Sequence, residues 1–256
     1  MWVAPHLLIG EGESPPYALL PGDPKRVNVI AEFLSSPELV AENREFRVVK
    51  GSYRGVEVAA CSTGIGGPST AIAVEELARA GAKVFIRVGT TGALVRGVKA
   101  GEIVIPYAAI RAEGTSRRYV PLEYPAVAHP LVYAALTRAA EEEGVKYIPG
   151  IVLTDDKFYS APGEILWWAK YGAVALDMES SIIYVVASMK SLYAGTILVV
   201  DGNRAEGTSK AYMGVRERRE HDEAVMNAIR REVRIALNAL TIIDRELPAG
   251  ANHRQP

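Results

Sequence analysis

The sequence predicts an α/β fold, a single domain built on a central mixed, largely parallel β-sheet flanked by helices. Three observations carry that reading. Apolar, β-branched runs of strand length alternate with amphipathic runs of helix length. Most of the strand runs end at once in Gly, Asp, Thr or Pro. No internal repeat and no Pro/Gly/Ser-rich linker divides the 256 residues. A helix between two strands carries the chain back to the edge where it started, so this alternation favours parallel pairing.

The elements follow in order. "YALL" (17–20) is a strand, and "PKRVNVIAEFL" (24–34) is a helix whose Pro24 suits a first turn. "VEVAACSTG" (56–64) is a strand, and "PSTAIAVEELARAGA" (68–82) is a helix stopped by Gly81. "KVFIRVGTTG" (83–92) and "EIVIPYAAI" (102–110) are strands, followed by a helix in "HPLVYAALTRAAEEEG" (129–144). "GIVLTDDKFY" (150–159) is a strand, and "ALDMESSII" (175–183) is a strand-to-helix junction whose helix runs on to Lys190. "GTILVVDGNR" (195–204) is the last strand, before a long helix over 218–240. The domain spans 1–256, with 247–256 ("LPAGANHRQP") expected to be flexible.

Composition excludes several classes of function. A formal net charge of −1, from 29 basic and 30 acidic residues, gives no field for gripping nucleic acid or an anionic membrane. Cys61 is the one cysteine, so there is neither an intrachain disulfide nor a thiolate metal cluster. Its apolar strand suits core packing. The four histidines show no metal spacing, and no metal is expected. The amino-terminal residues lack the features of a secretion signal, and no run reaches the ~18 apolar residues of a membrane span. A cytoplasmic protein is expected. A single glutamine, Gln255, leans towards a thermophile.

The chemistry concentrates where strands end. Arg87 sits inside "VFIRV", and a buried guanidinium requires an anion. Gly89-Thr90-Thr91-Gly92 follows it, and such a loop can bring backbone N–H groups and a hydroxyl up to an oxyanion. "LLPGDPKRV" (19–27) repeats this strand, Gly turn and Arg, with Gly22 and Arg26. Two such sites favour one small oxyanion held between them. "CSTGIGGPST" (61–70) is a third Gly-rich turn that fits neither the Walker nor the dinucleotide pattern. Asp177, Met178 and Glu179 stand at a strand–helix junction, where acids either cap the helix or, for Glu179, accept the hydroxyls of a sugar diol. Asp201 ends an apolar strand, where a carboxyl either caps a turn or holds a proton for a leaving group.

Taken together, "PGDPKR", "NREF", "CSTGIGGPSTAIAVEELA", "RVGTTGAL", "PLEYPAVA", "DDKFY" and "DMES", in this order, resemble the nucleoside phosphorylases, the family of uridine phosphorylase and the hexameric purine nucleoside phosphorylases. The resemblance runs from about His6 to the final helix. It implies reversible, phosphate-dependent cleavage of a ribonucleoside to free base and ribose 1-phosphate. Inorganic phosphate is then a co-substrate and no cofactor is needed. Gly22, Arg26, Arg87 and Thr90 would bind phosphate, and Met178 and Glu179 the ribose. Phe158 would pack on the base. His6, on the ribose 5′-hydroxyl, and Arg44, on phosphate, would come from a neighbouring subunit. Arg47 and Lys50 are alternatives to Arg44. A homo-oligomer follows, with an obligate dimer unit and a hexamer expected.

The base is read from divided signals. Uridine phosphorylases carry a Gln-x-Arg pair where this chain has "KFYSAPGEILWW", with Glu164 as the polar group facing the base position. Purine members place an aspartate where Asp201 stands. "PLEYPAVA", "NREF" and Asn203-Arg204 point instead to the uridine branch. Purine nucleosides such as inosine or guanosine are the expected substrates, with uridine the alternative. Readings from other classes are a water-using nucleosidase, which leaves the basic groups without an anion, and a non-catalytic nucleoside-binding protein.

Overall fold

The computed structural model describes residues 2–208 and 215–247. Among the described residues, nine strands and seven α-helices alternate, with two short 3-10 turns between them. The strands are β1 (Tyr17–Leu20), β2 (Ser35–Asn43), β3 (Phe46–Tyr53), β4 (Val56–Cys61), β5 (Val84–Ala93), β6 (Ile103–Arg111), β7 (Tyr147–Thr154), β8 (Ala173–Asp177) and β9 (Tyr193–Asn203). The helices are α1 (Pro24–Ala31), α2 (Gly67–Ala80), α3 (Ser116–Tyr119), α4 (Pro130–Glu142), α5 (Pro162–Leu166), α6 (Ser180–Met189) and α7 (Val215–Glu246). Every strand and helix read from the sequence is present. The reading passed over the β2–β3 hairpin, α3 and α5. β2 is a mostly exposed edge strand with Pro37 in it, so it lacks the apolar alternation that marks a strand. Leu247, in the tail expected to be loose, continues α7 by donating its N–H to Ile243 and packs on the core. The rest of that tail lies outside the described residues.

One sheet holds all nine strands, in the order β2-β3-β4-β1-β5-β8-β7-β6-β9, with a further β5–β9 pairing that closes the last five strands on themselves. β1 pairs in parallel with β4 and β5, β5 with β9, and β7 with both β6 and β8. The hairpins β2–β3 and β3–β4 and the contacts β5–β8 and β6–β9 are antiparallel. Two apolar clusters cover the two sides. One includes Phe85, Leu198, Ile183 and Leu77, the other Ile86, Ile197, Leu136 and Leu240. Neighbouring residues of β5 thus enter different clusters, as the period of two requires.

β5 positions the site. Its first half runs beside β1, ending at Leu20 opposite Arg87, and β8 takes over only at Gly92, opposite Leu176. Residues 88–91 therefore have no partner on that edge among the described residues, and the sheet splays open there. Thr91 ties the edges of the opening together, its hydroxyl donating to the Leu176 carbonyl at 2.6 Å. The opening lies at the carboxyl ends of β1, β4 and β5, where parallel sheets receive ligands.

Candidate active site

A cavity of about 630 Å³ fills the opening, well within the range of small-molecule sites. Gly22, Asp23, Pro24 and Arg26 line it from the β1–α1 turn, and Gly64, Ile65 and Ser69 from the β4–α2 turn. Gly89 to Gly92 come from β5, Leu176 to Glu179 from β8 and its end, and Asp201, Gly202 and Arg204 from the end of β9. Phe158 and Glu45 complete the wall. Gly22, Arg26, Arg87, Thr90, Met178, Glu179, Phe158 and Asp201, eight of the residues singled out in sequence, thus meet in one cavity although they lie up to 179 positions apart.

Arg87 is 3% exposed. The sequence offers it no acid nearby, and its expected partner is a bound anion. The structure corrects this, because two carboxylates from the β8–α6 junction already face it. Nε donates to Asp177 Oδ2 at 2.9 Å, and Nη2 pairs with Glu179 Oε2 at 2.6 Å. Burial works against the guanidinium's charge, but Glu179 and Asp177 outweigh it and hold its pKa above the ordinary value. Nη1 is buried and makes no hydrogen bond among the described residues. One nitrogen of the planar fork is thus left over.

The two acids differ in role. Asp177 is saturated: Oδ1 accepts from the Thr154 hydroxyl at 2.8 Å, and Oδ2 accepts from the Ser180 N–H and hydroxyl at 3.0 and 2.6 Å as well as from Arg87. It is both a capping acid and an anchor for the guanidinium. Ser181 N–H, in turn, donates to Thr154 Oγ1 at 3.1 Å. Glu179 is held by Gly66 N–H at 2.8 Å, Met178 N–H at 3.2 Å and Arg87. Burial raises its pKa, with Arg87 pulling the other way and Asp177 adding to the rise. Gly66, at φ +90°, holds a left-handed backbone that favours glycine and presents that N–H.

Gly89 is explained differently from its sequence reading. Residues 87 and 89 point to the same face of β5, and a Cβ on Gly89 would lie 2.7 Å from Arg87 Cζ. Its N–H, expected to meet an oxyanion, donates instead to Glu232 Oε1 of α7 at 2.8 Å. Thr90, beside it, is half-buried and faces the cavity.

Elsewhere in the wall, Arg204 Nη2 donates to the Phe158 carbonyl at 3.2 Å, and its guanidinium lies 5.7 Å from the Phe158 ring centroid. Asp201 is 9% exposed and lines the cavity nearby. Asn203 is structural, its amide donating to the Val95 and Val98 carbonyls. Glu164 does not reach the cavity. It pairs with Lys157 at 2.7 Å on the exposed side and accepts the Ala161 N–H at the start of α5. That use as a helix-start acid leaves the expected base contact without support.

His6 and Arg44 lie outside this chain's cavity lining. His6 Nδ1 is 2.6 Å from Glu76 Oε1, and Glu76 Oε2 accepts the N–H groups of His6 and Leu7. Asn43 Nδ2 donates to the His6 carbonyl, and Phe46 packs edge-on to its ring, so His6 adjoins the β2–β3 turn that carries Arg44. Arg44 is exposed at φ +55°, a conformation uncommon for a residue with a Cβ. Cys61 is buried, its thiol pushed up by burial, as a packing residue requires. The described residues hold no cluster of three or more His, Cys, Asp or Glu able to bind a metal ion, and no helix among them is long and apolar enough to cross a membrane.

Sequence reasoning missed Arg204 as a wall residue, Glu232 as the partner of the Gly89 N–H, and Asp177 and Glu179 as partners of Arg87. The pairing of two acids with a distant buried arginine follows from strand order, which no local pattern encodes.

Comparison with known proteins identifies the family. Residues 16–241 match the family model described as the phosphorylase superfamily. A guanosine phosphorylase of Halorubrum lacusprofundi is 42% identical over 240 residues, covering 93% of this chain and 98% of the relative. A uridine phosphorylase of Thermococcus kodakarensis is 43% identical over 213 residues, covering 78% and 77%. Among solved structures, a uridine phosphorylase of Vibrio fischeri superposes with a TM-score of 0.87 at 36% identity, covering 94% of this chain and 98% of that one. A purine nucleoside phosphorylase of Toxoplasma gondii, in complex with immucillin-H, superposes with a TM-score of 0.85 at 33% identity, covering 96% and 98%. The chain belongs to the phosphorylase superfamily, among its nucleoside phosphorylases.

Proposed function

We propose that the protein is a purine nucleoside phosphorylase that cleaves inosine or guanosine with inorganic phosphate. The observation that carries this reading is the layout of the cavity. Arg26, Thr90, Arg87 with its unpaired Nη1, Met178, Glu179, Phe158, Asp201 and Arg204 all line it, Glu179 lying against Arg87 and Arg204 against Phe158. That set supplies donors for phosphate, an acid for ribose and an aromatic ring for the base. The guanosine phosphorylase relative, aligned along nearly its whole length, supports a purine.

In this reading phosphate sits below C1′, held by Arg26, the Gly22 turn, Thr90 and Arg87. Glu179 turns one oxygen from Arg87 to the 2′- and 3′-hydroxyls. A phosphate oxygen bonds to C1′ as the C1′–N9 bond breaks, and the bonding pair leaves on the purine. The sugar passes through an oxocarbenium-like state that Glu179 and phosphate stabilise by charge. Asp201 hydrogen-bonds or protonates N7 and so carries the negative charge off the base. Met178 packs on the sugar and Phe158 on the base. Positioning carries most of the rate, and no covalent enzyme intermediate is needed.

The assembly follows from two residues. His6 and Arg44 share one surface outside their own chain's cavity, and Arg44 keeps an unusual backbone conformation at a hairpin tip. A neighbouring cavity is where they act, His6 on the 5′-hydroxyl and Arg44 on phosphate, in a dimer unit repeated to a hexamer. The alternative substrate is uridine, favoured by Arg204, whose donors at the base end suit a pyrimidine carbonyl as well. Incubation with inosine, guanosine, adenosine and uridine, with and without phosphate, tests the reading. Phosphate-dependent release of hypoxanthine or guanine ahead of uracil is expected. Uracil released far faster would refute the purine reading, and release without phosphate would refute phosphorolysis.

A further inference from the structure

Glu232 stands apart from the groups already assigned. It lies on α7, more than 25 residues from any residue that lines the cavity, and is fully buried. Oε1 accepts the Gly89 N–H at 2.8 Å, while Oε2 is buried with no hydrogen-bond partner among the described residues. The charged groups whose fields reach it are Arg26 of α1 and Arg87 of β5, the two cations of this chain assigned to phosphate. A buried carboxyl behind an anion site is paradoxical if it carries charge. Arg87 is already matched by Asp177 and Glu179, so an ionised Glu232 leaves three acids against two cations before any phosphate arrives.

We propose that Glu232 is a positioning residue of the phosphate site, and that its carboxyl takes up a proton as phosphate dianion binds. This rests on the phosphorolysis reading above. Protonated, Glu232 keeps Gly89 and hence the β5 loop in place while removing the negative charge behind the phosphate. Ionised, it competes with phosphate for Arg26 and Arg87. Burial raises its pKa to about 8, with Arg26, the Gly89 N–H and Arg87 opposing the rise, so the proton is exchangeable near neutral pH.

The test is the KM for phosphate, counted as the concentration of the dianion, measured with inosine between about pH 6.5 and about pH 9.5. Wild type should show a steady KM up to about pH 8 and then a climb towards tenfold per pH unit, the slope of one linked proton, while kcat at saturating phosphate changes far less. Glu232→Gln keeps an acceptor for Gly89 but has no proton to exchange, so its phosphate KM should stay level across that window. A Gln variant that is merely slower at every pH, with the same climb, would make Glu232 a structural acid and overturn the proposal. Should the variant fail to fold, calorimetry on wild type decides. Inorganic phosphate titrated near pH 8.5, in buffers of different ionisation enthalpy, should draw up to one proton from solution per site. No net uptake there overturns the proposal while phosphorolysis stands. No phosphate-dependent cleavage at any pH overturns both.

Discussion

Gly89→Ala is the sharpest probe of how Arg87 is held. The new Cβ would stand 2.7 Å from both Cζ and Nη2 and 2.9 Å from Nη1, so ordinary contact at about 3.4 Å needs a retreat of roughly 0.7 Å. Free guanidinium groups retreat easily, but this one is fixed by bonds of 2.9 Å to Asp177 and 2.6 Å to Glu179. Stretching either by that amount takes it to about 3.3–3.6 Å, at or beyond the limit of a hydrogen bond. Loss of one charge-assisted bond in a buried site costs about 1.5–3 kcal/mol. A displacement approaching 1 Å in a group that positions a reactant costs about 10²-fold, or ~3 kcal/mol at the transition state. Inosine phosphorolysis by the variant should therefore fall about 10²-fold in kcat/KM, with most of the loss in the phosphate KM. Melting should drop by several degrees. Gly114→Ala is the control, since its nearest contact would be an ordinary 3.6 Å from Asp156. A Gly89→Ala enzyme within about threefold of wild type, at an unchanged melting temperature, would refute the claim that Arg87 is held in one place to meet phosphate.

Four further outcomes are expected. Glu179→Gln removes one partner of a buried ion pair and the acceptor for the ribose diol, so it should cut kcat/KM by at least about 10²-fold and stability by roughly 3–5 kcal/mol, read by kinetics and denaturant melts. Asp201→Asn should slow inosine by about 10²–10⁴-fold and spare 7-methylguanosine, whose base leaves without protonation; equal losses on both would make Asp201 a turn cap. Inactive His6→Ala/Arg44→Ala protomers mixed with inactive Glu179→Ala protomers should regain activity by sharing sites, and a fully active monomer by light scattering would rule out the shared cavity. Stability should also depend on Glu232: its folded-state pKa lies above the ordinary 4.5, so the unfolded chain ionises first as pH rises. Wild type should then lose stability relative to Glu232→Gln between about pH 4.5 and about pH 8, by up to ~1.4 kcal/mol per pH unit, and level off above; parallel denaturant curves across that window would contradict the burial of an exchangeable acid.

What was legible in the sequence, and what was not, divides along a physical line. The strand-end residues were legible because glycine, proline and capping acids are selected by local backbone geometry, and that geometry recurs at the edge of any parallel sheet. Helices α2 and α4 were legible because burying one face imposes a period on some 13–14 residues. β2 was not, because an exposed edge strand buries too little to print a pattern. Glu164 misled for a related reason. A carboxylate next to a base-reading segment looks functional in sequence, yet three residues after Ala161 it is equally placed to accept the N–H at a helix start, and Lys157 lies within reach.

Arg87 shows the deeper limit. The cost of burying its charge is a local fact, legible in "VFIRV", and it demands an anion. The identity of that anion is a matter of topology: β8 adds to β5 just past the end of β1, and so delivers Asp177 and Glu179 to the guanidinium. The pairing also alters what the arginine can do. A lone buried arginine would bind any small anion tightly and release it slowly. With its charge already matched and Nη1 left over, Arg87 would, on the proposed reading, exchange one carboxylate for phosphate when Glu179 turns to the sugar. Ribose and phosphate then favour each other's binding, because each takes up a partner that the other has freed. Glu179→Gln should therefore weaken this coupling as well as the rate. Phosphate affinity measured by calorimetry, with and without an unreactive nucleoside analogue, should rise on analogue binding in wild type and stay nearly constant in the variant. An equal rise in both would place the coupling elsewhere in the cavity.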